Sequence, residues 1–89
     1  MEGEISLENH YTYMVRCADE TLYTGYTTDL ERRVRMHNQG KGAKYTRARR
    51  PVELVYYERY ETKQEAMARE YALKQLPRAR KLKLCGLLE

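Results

Sequence analysis

The chain has 89 residues, 17 Lys and Arg against 13 Asp and Glu, and a net charge of +4. That length is one small domain with a thin core. Two cysteines are too few for a disulfide scaffold, and Cys17 and Cys85 match no metal or redox spacing. No apolar run nears the length of a membrane span and no signal-peptide hydrophobic region is read, so a cytoplasmic protein with reduced thiols and no membrane contact is expected.

Charge is unevenly placed. From Glu31 to Arg50 the basic residues are Arg32, Arg33, Arg35, Lys41, Lys44, Arg47, Arg49 and Arg50, with Glu31 the single acid. From Tyr71 to Leu88 come Lys74, Arg78, Arg80, Lys81 and Lys83, with no acid. Such asymmetry favours a polyanionic partner, nucleic acid above all, over a merely solubilising surface. Nine tyrosines and no Phe or Trp suggest aromatic rings that do more than pack, since a phenol also stacks on bases and exchanges protons.

Residues 1–9, acidic and short of apolar side chains, are expected to form a disordered tail ahead of a single domain over 10–89. Tyr11 to Cys17 reads as a strand, with Tyr11, Tyr13, Val15 and Cys17 on one face. Leu22 to Tyr26 is a second strand, and the short polar gap makes the pair an antiparallel hairpin. Thr28 and Glu31 form a capping-box pattern that starts a helix over 29–38. Leu30, Val34 and His37 line one face of it, and Arg33 falls on that face too, where a cation is costly unless it meets an anion. A long basic loop follows to Pro51, the kind of segment that more often serves function than structure. Val52 to Tyr60 is a third strand. Thr62 and Glu65 repeat the capping box for a helix over 63–76, on which Ala66, Glu70 and Leu73 share a face. Arg78 to Leu88 reads as a short basic helix whose leucines are available for packing.

Strand, strand, helix, strand and two helices make a small α+β unit, a three-stranded antiparallel sheet flanked by helices in the order β-β-α-β-α-α. With Tyr11-Thr12-Tyr13 followed ten residues later by Tyr23-Thr24-Gly25, and Arg33, His37 and Glu70 in order behind them, the chain resembles the GIY-YIG nuclease family. It is closest to the small single-domain bacterial members, the UPF0213 type. The resemblance spans roughly Asn9 to Leu84. Two departures stand out: the first triplet lacks its glycine and isoleucine, and the family's later asparagine has no match in Leu76-Pro77-Arg78-Ala79.

The resemblance implies metal-dependent hydrolysis of a nucleic-acid phosphodiester, of DNA rather than RNA, with structured or damaged DNA as a candidate substrate. It places catalytic roles on Tyr13, Tyr23, Arg33, His37 and Glu70, with Glu70 the ligand of Mg²⁺ or Mn²⁺. One carboxylate suits Mg²⁺, which keeps several waters. Arg33 is suited to clamp phosphate oxygens. Either Tyr13 or Tyr23 is able to activate water; Tyr23 is favoured, with Tyr13 positioning water or phosphate. Read without the family, Tyr13 and Tyr23 are more often a packed cross-strand pair, Arg33 and Glu70 a structural ion pair, and His37 a packing residue. The expected nucleic-acid contacts are Gly25, Lys41, Lys44, Tyr45, Arg47, Arg49, Arg50 and Lys74. A monomer is expected, with a protein partner supplying whatever targeting a domain this small lacks. The alternative is a non-catalytic nucleic-acid-binding module on the same fold.

Overall fold

The computed structural model describes residues 9–87, so the expected tail lies outside the described residues except for Asn9. The elements are β1 (His10–Arg16), β2 (Leu22–Thr27), α1 (Leu30–Asn38), α2 (Lys44–Arg47), β3 (Glu53–Tyr60), α3 (Lys63–Lys74) and α4 (Arg78–Leu84). This is the expected order with one addition. The basic loop contains the four-residue helix α2, too short to show any apolar period in sequence.

The sheet order is β2-β1-β3, antiparallel throughout. β1 is the middle strand, and Thr12, Tyr13, Met14 and Val15 are all fully buried. Its side chains alternate, as expected, but both faces are covered. On one face Tyr13, Val15, Cys17 and Val52 form the core, with Tyr23, Leu30, Val34 and Leu54 packed against it. On the other face Thr12 donates its hydroxyl proton to the Ala66 carbonyl of α3 at 2.6 Å. Threonine thus ties strand to helix at the position where the family pattern carries isoleucine.

The second helical start follows the sequence and the first does not. Thr62 caps α3, accepting from Glu65 N–H at 3.1 Å. α1 is capped by Asp29, not Thr28: its carboxylate accepts from Arg32 N–H at 3.1 Å, and the Thr27 hydroxyl accepts from Asp29 N–H. A short carboxylate at this position competes successfully with threonine for the free amides of the first turn. At the far end of α1, Asn38 accepts from Val52 N–H at 2.7 Å and donates to the Val52 carbonyl at 3.0 Å, fastening the helix to the start of β3.

Behind the sheet, Glu58 collects the guanidinium of Arg69 and the hydroxyls of Tyr56 and Tyr60. Burial alone raises the Glu58 pKa, but the hydrogen bonds from Arg69, Tyr56 and Tyr60 carry it below the usual carboxylate range. α4 buries no residue, and Leu84 and Leu87 are exposed, so the expected leucine packing is only partial. A hydrogen bond from Arg78 to the Glu20 carbonyl, 3.0 Å, tethers the helix to the β1–β2 turn. Among the described residues no helix is long and apolar enough to cross a membrane.

Candidate active site

The β1–β2 register sets Tyr13 opposite Gly25 and Val15 opposite Tyr23. Tyr13, Tyr23 and Gly25 therefore point to the α1 side of the sheet. Gly25 is buried beneath the Tyr13 ring: a Cβ there would lie 2.6 Å from Tyr13 Oη. Its contribution is room for that ring.

α1 brings Arg33 and His37 onto Tyr13 from above, one helical turn apart. Tyr13 Oη lies 2.7 Å from His37 Nε2, and Arg33 Nε donates to the same oxygen at 3.3 Å. The other ring nitrogen, His37 Nδ1, is 2.8 Å from Thr46 Oγ1 of α2. Tyr13, His37 and Thr46 are all fully buried. Burial pushes the Tyr13 phenol up to about 12, with the Glu70 charge adding to it and the Arg33 hydrogen bond and charge opposing. Burial, reinforced by the Arg33 charge, lowers His37 to about 4, so the imidazole is neutral near pH 7.

Tyr23 completes the face. Its ring meets His37 edge-on, centroids 5.3 Å apart, and stacks on Tyr45 at 6.0 Å. Its hydroxyl makes no hydrogen bond to the described residues. Arg33 and Glu70 are not the ion pair that the sequence alone allowed. Glu70 pairs with Lys74 of its own helix at 3.3 Å, its side chain 15% exposed. The terminal nitrogens of Arg33 make no hydrogen bond to the described residues.

The basic residues divide into two groups. Lys41, Lys44, Arg47 and Lys74 are exposed. Arg49 and Arg50 are engaged within the protein. Arg49 pairs with Asp19 at 3.1 Å, donates to the Tyr45 carbonyl and lies 3.9 Å over the Tyr45 ring. Arg50 donates to the carbonyls of Arg47 and Asn38. Tyr45 thus stacks on Tyr23 and carries the Arg49 guanidinium over its ring, while remaining 38% exposed.

Two residues beyond the expected set belong to the site. Thr46 carried no signal in sequence, because only the tertiary position of α2 makes it a partner of His37. Lys81 of α4 lines a recess of about 240 Å³ with Lys74, Tyr23, Thr24, Tyr45 and Leu22. The basic run from Lys74 to Lys83 was the readable hint of that one.

A partly buried carboxylate, a free guanidinium and a phenol already hydrogen-bonded to a neutral imidazole suit acid–base chemistry on a phosphodiester. The model of the GIY-YIG catalytic domain matches residues 9–83. A UPF0213 protein of Oceanobacillus iheyensis is 58% identical over 77 residues, covering 86% of this chain and 90% of that one. Another, of Natronomonas pharaonis, is 60% identical over 76 residues, with 85% and 89% covered. The solution structure of a UPF0213 protein from Bacillus halodurans shares 51% identity and a TM-score of 0.57, covering 89% of this chain and 84% of that chain. A solution structure from E. faecalis gives 45% and 0.58, covering 85% and 81%. By sequence and by fold, the chain belongs to the GIY-YIG nuclease family, among its UPF0213 proteins.

Proposed function

We propose that this protein is a metal-dependent endonuclease that hydrolyses phosphodiester bonds of DNA, with Tyr13 as the general base. The observation that carries this reading is the short contact between Tyr13 Oη and His37 Nε2, 2.7 Å, with Arg33 at the same oxygen. It favours Tyr13 over Tyr23, the tyrosine preferred from sequence, because Tyr13 alone of the two has somewhere to send its proton. An isolated phenol at a pKa of about 12 is a poor base. A phenol that passes its own proton to a neutral histidine while accepting one from water need not first ionise to solvent, although His37 at about 4 makes the imidazolium a short-lived holder of that proton.

In the reaction, water attacks phosphorus and gives its proton to Tyr13 Oη. The Tyr13 proton moves to His37 Nε2. The bond from phosphorus to the leaving strand breaks, and its electron pair stays on the leaving oxygen, which is protonated from solvent. Arg33 sits beside the reacting centre with its terminal nitrogens available to phosphate oxygens as charge builds there. The Tyr23 hydroxyl is free to orient phosphate or water. Lys74 and Lys81 flank the recess next to it and hold the adjoining strand by its phosphates.

Glu70 is the residue that would hold a divalent ion. Among the described residues no group of three or more His, Cys, Asp and Glu is placed to bind a metal. That donor set fits Mg²⁺ (or Mn²⁺), held by one carboxylate and completed by water and substrate oxygens, better than zinc or calcium. When bound, the ion supplies Lewis-acid charge to the phosphate or leaving oxygen.

The test is cleavage of plasmid, branched and single-stranded DNA with Mg²⁺ or EDTA, by wild type, Glu70→Ala, Tyr13→Phe and Tyr23→Phe. Metal-dependent cutting that Glu70→Ala and Tyr13→Phe abolish, while Tyr23→Phe retains part of it, supports the assignment. Loss in Tyr23→Phe with activity kept in Tyr13→Phe reverses the roles of the tyrosines. Uncut DNA in every wild-type lane, with salt-sensitive binding, makes the protein a binding module instead.

A further inference from the structure

We propose that Thr46 is a positioning residue, which fixes His37 in the tautomer that carries hydrogen on Nδ1 and leaves Nε2 open to receive the Tyr13 proton. The inference rests on the assignment of Tyr13 as base and extends it to a residue two hydrogen bonds away.

A neutral imidazole has one N–H and one lone pair, and here both nitrogens face hydroxyl groups. Tyr13 Oη is 2.7 Å from Nε2 and Thr46 Oγ1 is 2.8 Å from Nδ1. Either hydroxyl is able to donate or accept, so the ring and its two partners do not by themselves choose a direction. The next neighbours do. Thr46 Oγ1 donates to the Ala43 carbonyl at 3.1 Å. A carbonyl only accepts, and with the Tyr13 proton directed at Nε2 the consistent arrangement sends the single Thr46 proton there. Its oxygen then faces His37 with a lone pair, and Nδ1 must carry the hydrogen.

The opposite end of the chain gives the same answer. Arg33 Nε, which only donates, points at Tyr13 Oη. The Tyr13 proton is therefore turned towards His37. The bonds run one way, from Arg33 to Tyr13 to His37 to Thr46 to Ala43, between an obligate donor and an obligate acceptor. In the other tautomer, Nε2–H would point at Tyr13 Oη and block the proton's path.

The segment from Gly42 to Thr46 is shaped around this ring. A Cβ on Gly42 would lie 2.2 Å from His37 Nδ1, so backbone passes directly over the imidazole. The Ala43 carbonyl also accepts from Arg47 N–H at 3.1 Å, which holds it in place as the first acceptor of α2. The helix presents Thr46 to the histidine and shields it from water, which would otherwise let both tautomers coexist.

The experiment is long-range ¹H–¹⁵N spectroscopy of His37 in the full chain, without metal or DNA, for wild type, Thr46→Ser and Thr46→Val, followed by cleavage kinetics of the same three proteins. Wild type and Thr46→Ser are expected to show the Nδ1–H pattern and similar rates. Thr46→Val is expected to populate Nε2–H and to cut roughly 10–100-fold more slowly, the usual cost of losing a group that orients a functional histidine. An Nε2–H pattern in wild type overturns the proposal, as does a Thr46→Val protein that keeps the wild-type pattern. The wild-type spectrum decides the point even if Thr46→Val does not fold. Absence of cleavage by wild type overturns the nuclease reading instead, and the spectra stay informative about the tautomer.

Discussion

Gly25 and Tyr13 face each other across the β1–β2 register so closely that a Cβ on the glycine would lie 2.6 Å from the tyrosine Oη and 2.7 Å from its Cζ. Gly25→Ala should therefore tilt a fully buried ring away from His37 and Arg33. Overpacking of this kind costs about 1–3 kcal/mol, read as a lower urea midpoint. A displacement of the base by about 1 Å should slow cleavage by about 10²-fold. Wild-type turnover in a folded Gly25→Ala protein would show that the position of the Tyr13 hydroxyl does not matter to the reaction.

Acid should weaken the fold through His37. Its folded-state pKa is lowered to about 4 by burial and by Arg33, whereas the unfolded residue titrates near its ordinary 6.5. Between those values the unfolded chain takes up the proton first. The contribution is thus fully present above pH 6.5 and is lost as pH falls towards 4, in total roughly 3 kcal/mol. Urea unfolding of wild type and His37→Gln at a series of pH values should show the wild type losing more stability across that window. Parallel curves would assign the titration to other groups.

Removing the anion behind the sheet should affect folding and spare chemistry. Glu58→Ala leaves Arg69, Tyr56 and Tyr60 without the carboxylate they share. The pair is only partly buried, so the cost is about 2 kcal/mol rather than the larger figure for a fully enclosed one. Thermal denaturation should move down while cleavage per folded molecule, measured well below the new midpoint, stays at the wild-type rate.

The recess beside Tyr23 should register as electrostatics. Lys81→Met and Lys74→Met each remove one ammonium from its wall. Each is expected to weaken DNA binding and to lower the slope of log affinity against log salt by about 1. Fluorescence anisotropy over a salt series checks this, and an unchanged slope in both variants would take the strand elsewhere. Arg49→Met should differ, loosening the Tyr45 stack and its Asp19 pair more than it alters the slope.

What could be read in the sequence was what local pattern controls. Leu30, Val34 and His37 do form the inner face of α1, Thr62 does cap α3, and Ala66 and Leu73 are buried on the face that carries Glu70. The capping-box spacing points to Thr28, whereas the amide geometry of the first turn prefers Asp29, the residue one place on. The Arg33–Glu70 bridge that the residues alone allowed does not form, because helical spacing says which face a residue takes and nothing about which helix it meets. Thr46 was invisible for a related reason: a four-residue helix has no period, and its partner is nine positions back in sequence. Tyr45 and Arg49 read as nucleic-acid contacts, and the contact of one with the other was not legible because it depends on how α2 is placed.

Tyr13 lies on the central strand, and a chain made from its N-terminus produces that strand first. β3, its second neighbour in the sheet, begins only at Glu53, and Glu70 and Lys81 come later still. No early fragment can hold the reacting groups together, since β1 has one flank bare until β3 docks and the far face open until α3 closes it. The candidate site is thereby assembled late and all at once, with the completed fold as its precondition.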